Sequence, residues 1–404
     1  SDDALNGTPS QNLNAIDLAV STLAANAESG IYLSEADALT ITTVLAVTVN
    51  VGSVVRVNFN STTSSVGQSR GTSSLEDLRT EIAGPIKLVS VAGSITIAGG
   101  SDGQGVSASG SGDVLLEAAQ DVTINADVLS GSGNITLGAG NDLAVNSSVT
   151  TGGTGTVYLT SGNDTTIDSV LTTLSGDLLI DAGEDLTQNA AITSTAGDVG
   201  LIAGGSLDQA SSGDISTGGD VLLEAGADWT MSSGTEITAA GSVSGQALSG
   251  DLRLGLIDAA DVGLIASDNI IDGNAGSLNI SADNLSLVAA GGSIGDHDNA
   301  NGTPGQNGNA IDIAVATLAA DADSGIYISE SDSVTVTTVS EVAVEIESVV
   351  RVNFNSTDSD VSVDGSTAAL EDLKAAADGS IKLVSESGSI TIAGGSDGQG
   401  VSAS

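Results

Sequence analysis

A short tandem repeat runs through the middle of the chain and constrains its fold more than any other feature. Six successive copies begin at a glycine, at Gly112, Gly133, Gly155, Gly176, Gly197 and Gly219. Their spacing of about 21–22 residues is typical of solenoid proteins, in which each repeat packs mainly against its two neighbours.

Aligned on those glycines, the copies place apolar residues at alternating positions, which indicates strands with one buried face. The first two apolar columns are Val114, Ile135, Val157, Leu178, Val199 and Val221, and Leu116, Leu137, Leu159, Ile180, Leu201 and Leu223. A column of small residues follows, then a second strand pattern and a shorter third one. Gly, Thr, Val and Asn disfavour helix interiors. We therefore predict an all-β fold, a right-handed parallel β-helix (β-solenoid) with three short strands in each rung of about 21–22 residues.

The composition suits many thin, similar layers better than one bulky core. Hydrophobic residues make up 40% of the chain, yet aromatic residues make up only 1%. A compact globule normally anchors its core with large rings. Stacked rungs need none, because each rung presents the same aliphatic side chains to the same shaft.

A second, longer repeat relates the two ends of the chain. Residues 1–109 align without a gap on residues 296–404, and the segment GSITIAGGSDGQGVSAS occurs at both 93–109 and 388–404. We predict that residues 1–295 are one full unit and that 296–404 begin the next, in one continuous solenoid. We expect a sequence with this long repeat to come from a giant extracellular repeat protein.

Each unit also contains an insertion in the rung pattern, near residues 61–83 in the first copy and 356–378 in the second. The segment TSSLEDLRTEI at 72–82 predicts a short helix, with Glu76 completing a capping box to Ser73. The second copy keeps Leu370, Glu371, Asp372 and Leu373. We expect a loop with one or two helical turns that projects from the rod.

The segments GNITLGAGNDLAV, GDLLIDAGEDLTQ and GDVLLEAGADWTM resemble the shaft repeats of filamentous haemagglutinin-like proteins and other giant bacterial β-helical adhesins. The resemblance is strongest over residues 112–239. It implies a right-handed β-helical rod, export across a bacterial envelope, and a role in adhesion, aggregation or biofilm formation.

The most regular candidate site is a file of acidic residues, one in most rungs of the repeat. It consists of Asp121, Asp142, Asp164, Asp185 and Asp228. Carboxylates stacked about 4.8 Å apart repel one another, so their charge must be relieved. One hypothesis is Ca²⁺ shared between neighbouring carboxylates. The alternative is that the side chains accept hydrogen bonds from nearby backbone in Asx turns.

Other kinds of chemistry find little support in the sequence. The 52 acidic and 8 basic residues give a net charge of −44, which repels nucleic acid and anionic membranes. There is no cysteine for disulfides or thiolate metal sites, and no apolar run long enough to span a bilayer. The single histidine, His297, aligns with Asp2 of the first copy, so we expect no catalytic role for it.

These observations favour a structural protein, and we expect no enzymatic activity. The first hypothesis is the shaft of a giant secreted or surface-anchored protein, forming an extracellular fibre or adhesin stalk on a bacterial cell. The second is an S-layer or sheath-type lattice subunit that assembles through Ca²⁺. A third is a β-helical enzyme acting on polysaccharide, which would need a groove lined by basic residues. The expected partners are neighbouring copies of the repeat, end to end or side by side, and a glycan or other cell-surface ligand.

Overall fold

The structure, a computed structural model, describes residues 8–296, 307–355 and 357–404. Over these residues the chain forms strands and turns without a helix. Nearly all of the strands belong to one continuous parallel sheet system, which winds into three faces along a shaft.

Each of the three faces is a stack of parallel strands. The first face contains Ile16–Leu18, Ile31–Glu35, Ile86–Ser90, Val114–Ala118, Ile135–Ala139, Val157–Ser161, Leu178–Ala182, Val199–Ala203, Val221–Ala225, Val243–Ala247 and Asp261–Ala266. The second face contains Thr22–Leu23, Leu39–Thr42, Ile95–Gly99, Val122–Ile124, Leu143–Val145, Thr165–Ile167, Leu186–Gln188, Leu207–Gln209, Trp229–Met231, Leu252–Leu254, Ile270–Asp272 and Ser293–Ile294. The third face contains Ala25–Ala27, Leu78–Thr80, Gln104–Ala108, Asp127–Ser130, Val149–Thr151, Leu171–Thr173, Ile192–Ser194, Ile215–Thr217, Glu236–Ala239 and Leu256–Asp258.

Equivalent strands of successive rungs pair in parallel, in the register that the sequence columns predict. On the first face Leu178 lies opposite Val157 of the preceding rung and Val199 of the following rung. The second and third faces keep the same stagger of one rung, so that Leu186 pairs with Thr165 and Ile192 with Leu171. The predicted parallel β-helix and its rung length are therefore confirmed.

The interior of the shaft is a single apolar core formed by the inward-facing columns. Its largest side chain is Trp229, which is fully buried. The rung after it has Gly245 in the first-face column that holds Leu223 in the preceding rung. A Cβ on Gly245 would lie 2.3 Å from Trp229 Cζ3, so the glycine makes room for the ring.

A column of glycines stacks at the corner between the first and second faces. A Cβ placed on Gly183 would lie 2.3 Å from the carbonyl oxygen of Gly162 in the rung below. The same approach recurs at Gly204 and Gly226. A side chain at these positions would push apart the backbones of neighbouring rungs.

Replacing Gly183 with alanine is therefore expected to lower the free energy of unfolding by about 1–3 kcal/mol, the usual cost of overpacking. Gly138 supplies the matched control, because a Cβ there meets side-chain atoms at ordinary distances of 3.5 and 3.7 Å. Urea unfolding should show a change within about 0.5 kcal/mol for Gly138→Ala. Equal effects of the two substitutions would contradict the close stacking of the glycine corners.

The pairing continues from the first unit into the second through two long strands, Ile280–Ala289 and Ile311–Ala322. The remaining shaft strands of the second unit are Gly325–Glu330, Val334–Thr337, Leu373–Ala375, Ser380–Ser385, Ile390–Gly394 and Val401–Ala403. Ile294, on the second face, pairs with Ile326, whose counterpart in the first unit, Ile31, lies on the first face. The second unit thus continues the shaft but is turned by one face.

The insertion of each unit is an antiparallel hairpin rather than a helix. The first hairpin pairs Thr48–Val57 with Thr63–Gly71, and the second pairs Val342–Arg351 with Ser359–Thr367. The helix predicted at 72–82 is wrong, because this segment re-enters the shaft. Leu78, within it, is fully buried and pairs with Val106 on the third face.

Candidate cation sites and the hairpin docking face

The predicted acidic file lies at the start of the second-face strands, where each carboxylate bonds to the rung that follows. Oδ1 of Asp121, Asp142, Asp164, Asp185 and Asp228 accepts the backbone N–H of Asp142, Asp164, Asp185, Ser206 and Asp251, respectively, at 2.8–3.4 Å. No three of these carboxylates, all within the described residues, bring oxygens within 4.8 Å of one another. The file is a hydrogen-bonded ladder, and Ca²⁺ binding along it stays a prediction.

A second acidic ladder precedes the first-face strands. Oδ1 of Asp177 accepts the N–H of Asp198 at 2.9 Å, and Oδ1 of Asp198 accepts the N–H of Asp220 at 2.7 Å. Burial raises the pKa of Asp198, and the neighbouring carboxylates of Asp177 and Asp220 act in the same direction, while the accepted hydrogen bond opposes the shift. Both ladders show how the acidic residues couple one rung to the next.

A different cluster, which the sequence patterns did not predict, is formed by three acidic side chains at the base of each hairpin. In the first unit Glu76, Asp77 and Asp102 bring one carboxylate oxygen each to within 4.8 Å of the others. In the second unit Glu371, Asp372 and Asp397, at the equivalent positions of the longer repeat, do the same. We call these the acidic triads. They are the two such groups found within the part of the chain that the structure describes.

Each triad joins two rungs. Glu76 and Asp77 lie where the hairpin returns to the third face, and Asp102 lies in the glycine-rich loop of the next rung. Glu76 Oε2 accepts the N–H and the hydroxyl of Ser101, both at 2.9 Å. Asp102 Oδ1 accepts the N–H of Gln104 at 3.0 Å. These bonds fix two of the three carboxylates at the mouth of the cluster.

The middle carboxylate of each triad is buried and incompletely satisfied. Asp77 is 7% exposed and its Oδ1 has no hydrogen-bond partner. Asp372 is fully buried, and neither of its carboxylate oxygens has a hydrogen-bond partner. The nearby Gly395 N–H acts to lower the pKa of Asp372, but neither carboxylate oxygen of Asp372 has a hydrogen bond of normal geometry.

Burial raises the pKa of Asp77 to about 6, and the nearby carboxylates of Asp102 and Glu76 act in the same direction. Burial also raises the pKa of Asp372, with Asp397 and Glu371 adding to the shift and Lys374 opposing it. Two independent copies of the cluster therefore hold a carboxylate that is costly to ionise where it lies.

This shift predicts a pH dependence of stability. Between about pH 4 and 6 the folded chain keeps a proton on Asp77 that the unfolded chain has released, so the free energy of unfolding falls as pH rises. In calcium-free buffer, Asp77→Asn should become more stable relative to the wild type across this range, by up to about 3 kcal/mol at about 1.4 kcal/mol per pKa unit. Urea unfolding at several pH values measures the difference. A difference that does not change with pH would contradict the assignment.

The second hairpin does not project from the shaft but lies along the outside of the first face. Val344, Ile346 and Val349 pack against outward-facing Tyr158, Leu179 and Leu222. Further along, Val352 and Phe354 pack against Leu115. Each of these side chains is at most 6% exposed. We call the outer surface of the first face between Val89 and Gly263 the docking face.

Hydrogen bonds fix the hairpin along the docking face. The N–H groups of Val350 and Val352 donate to the hydroxyls of Thr156 and Thr136 at 3.0 and 2.9 Å. At the far end the Lys87 ammonium donates to the Asn355 carbonyl at 2.6 Å. An ion pair of 3.8 Å between Arg351 and Glu117 is partly exposed and adds little.

The hairpin tip reaches the start of the first unit. The N–H of Phe354 donates to the Pro9 carbonyl at 2.9 Å, and Asn12 Nδ2 donates to the Phe354 carbonyl at 3.3 Å. One hairpin therefore extends along the unit that precedes it, from the junction to its first described residues. The contact joins parts of the chain that are distant in sequence.

A surface recess of about 410 Å³ lies beside the unit junction, with Arg253, Asp272 and Asp296 in its lining. One basic and two acidic side chains do not form the basic groove that an enzyme for acidic polysaccharides would need. The expectation that the chain is not an enzyme stays a prediction. His297 lies outside the described residues.

Within the described residues, no helix combines the length and apolar character needed to cross a membrane. No family model matches the chain, and no curated protein or solved structure matches it. The chain is thus characterised by its own architecture, a tandem-repeat parallel β-helix in which the described hairpin of the second unit covers the unit before it.

Proposed function

We propose that the chain is the structural shaft of a giant secreted or surface-anchored repeat protein, part of an extracellular fibre or adhesin stalk on a bacterial cell. The observation that carries this proposal is the unbroken parallel pairing from the first unit into the second. Because the second unit starts the rung pattern again, further units can extend the shaft without changing its cross-section.

Two further features support a mechanical role. The second hairpin crosses many rungs of the first unit and so opposes their separation, in addition to the strand pairing itself. The resemblance of the repeats to filamentous haemagglutinin-like shafts points to the same use, with an adhesive or glycan-binding part carried at a distance. Neighbouring units of the same repeat are the expected partners.

Electron microscopy of chains with one, two and three added 295-residue units tests this proposal. Particles should be unbranched rods of constant width that lengthen by on the order of 60 Å per unit, at about 4.8 Å per rung. Globular particles, or a length independent of unit number, would contradict it. Ordered sheets or tubes that form only with calcium would instead support the lattice hypothesis, which the mostly exposed acidic file favours.

A further inference from the structure

The acidic triads carry an inference about ion binding. The same three carboxylates converge at the same place in two units, and each cluster encloses a buried aspartate with unsatisfied oxygen. A buried carboxylate without a partner is strongly unfavourable, and a bound cation removes this cost. The aspartates also adopt left-handed backbone angles, with φ of 63° at Asp77 and 72° at Asp372, which are uncommon outside glycine.

The ligand chemistry points to a hard divalent cation. Each triad offers carboxylate oxygens and no nitrogen or sulfur, and its outer residue, Asp102 or Asp397, is open to solvent, which leaves room for water ligands. We propose that each acidic triad binds one Ca²⁺ ion, which fixes the base of the hairpin to the glycine-rich loop of the following rung.

Calcium titration of the full chain by calorimetry tests this proposal, in about 0.15 M KCl to screen diffuse counterion binding. The proposal predicts two sites per chain and a higher melting temperature with calcium. Asp77→Asn with Asp372→Asn should abolish both effects, and without calcium this double variant should be at least as stable as the wild type. Asp102→Asn with Asp397→Asn, at exposed positions, provides a second pair that leaves the buried residues intact.

Two controls separate the triads from the rest of the acidic surface. Asp208→Asn with Asp283→Asn removes the same charge at exposed positions and should leave both sites in place. Asp142→Asn with Asp164→Asn removes two members of the acidic file and should do the same. Loss of calcium binding in either control, or its persistence in both triad variants, would overturn the proposal.

A separate observation concerns the first hairpin, whose apolar side is uncovered. Val49, Val51, Val54, Val57 and Phe59 are 49–108% exposed. Their counterparts in the second hairpin are Val344, Ile346, Val349, Val352 and Phe354, which are at most 4% exposed. Four of the five positions carry the same residue in both hairpins. The two hairpins therefore differ mainly in whether a surface of the shaft covers their apolar side.

The second hairpin shows which surface fits the first. Its five apolar side chains cover the docking face of the unit that precedes it, with Leu115, Tyr158, Leu179 and Leu222 as the main apolar contacts. In the second unit, the position that corresponds to Val89 of the docking face is uncovered. Val384 is 52% exposed, although its counterpart Val89 packs against the cluster of Leu115, Val352 and Phe354 that the docked hairpin forms.

We infer that the first hairpin is a docking element for a second copy of the 295-residue unit, and that it binds the docking face of the unit that precedes it in the shaft. The docking face of each unit would then be covered by the hairpin of the unit that follows it. This inference rests on the proposed tandem shaft and specifies how its units are held together.

Hydrogen exchange on an extended chain tests the inference, with a copy of residues 1–295 fused to the amino terminus of the intact 404-residue chain. The N–H groups of Val55 and Val57 correspond to those of Val350 and Val352, which donate to threonine hydroxyls of the docking face. In the extended chain these two amides should exchange at least about 100-fold more slowly than in the original chain. Leu179→Asp in the added unit alone should restore fast exchange.

The outcomes separate this inference from the proposed function. A rod that lengthens as expected while both amides still exchange rapidly would overturn the docking inference alone. An extended chain that does not lengthen would overturn the shaft. Concentration-dependent protection of the same amides in the original 404-residue chain would show that the first hairpin pairs with another molecule, which would also overturn the inference.

Discussion

Substituting aspartate for both Ile346 and Val349 is expected to release the second hairpin from the shaft. Both side chains are fully buried against the docking face, and burial of each contributes about 1.5–3 kcal/mol. Two charges at these sites would also have to be desolvated without partners, so docking should be lost. The amides of Val350 and Val352 should then exchange at rates typical of exposed strands, while the shaft core remains protected.

The first hairpin supplies a matched control for this experiment. Val51 and Val54 occupy the equivalent positions and are each 49% exposed. Aspartate at both should change the free energy of unfolding of the 404-residue chain by no more than about 0.5 kcal/mol per site, as is usual for surface positions. Similar losses of stability from the two pairs of substitutions would contradict the difference in docking between the hairpins.

The second large effect is expected inside the shaft, at the rung that holds the one tryptophan. Gly245→Leu should destabilise strongly, because even a Cβ there would lie 2.3 Å from the ring of Trp229. Trp229→Leu should also destabilise by leaving a cavity beside Gly245, but by less than the roughly 3–5 kcal/mol typical of Trp→Ala. The double variant restores the leucine found in neighbouring rungs and should recover most of the loss, as measured by urea unfolding.

Full recovery is not expected in the double variant. Trp229 Nε1 donates to Gln209 Oε1 at 2.8 Å, and Gln209 Nε2 donates to Gln188 Oε1 at 2.8 Å, so the ring ends a buried amide ladder. Leucine leaves Gln209 Oε1 without this donor, which costs about 1–3 kcal/mol. Strictly additive effects of the two single substitutions would contradict the direct contact between Trp229 and Gly245.

The register of the shaft could be predicted from the sequence because one physical constraint repeats in every rung. Each inward column must be apolar, and each tight corner must be small, so Leu178 aligns with Val157 and Val199 without any structural information. Rung-to-rung pairing then follows from the same stagger of one repeat. The general rule for parallel crossovers predicts that the β-helix is right-handed, and its handedness stays a prediction.

The hairpin contact could not be inferred from the alignment of rungs alone, because it joins residues such as Thr156 and Val350 that are far apart in the chain. A signal was nevertheless present. Leu115, Tyr158, Leu179 and Leu222 are apolar residues at outward positions of the first face, between inward-facing apolar residues. Strands that are apolar on both sides indicate a second layer. The alternation of the apolar residues Val342, Val344 and Ile346 indicates the strand that supplies it.

The helix prediction failed for a related reason. Ser73 and Glu76 form a sound local capping signal, but helix propensity is a weak preference that tertiary contacts override. Burial of Leu78 in the shaft and its pairing with Val106 favour a strand instead. The acidic triads were missed because Asp77 and Asp102 lie in different rungs and meet only when the rung closes. Recurrence of Glu-Asp and of GGSDGQG in both copies was the available signal.

Distances between nitroxide labels on the second face test the rung stacking most directly, because the native chain has no cysteine and introduced pairs can be labelled cleanly. Thr123 is stacked below Asp208, Thr230 and Arg253 by four, five and six pairing steps. Pulsed electron paramagnetic resonance should give distances of about 19, 24 and 29 Å for these three pairs, at about 4.8 Å per rung. Distances that do not increase by equal steps along this series would show that the rungs are not stacked in order.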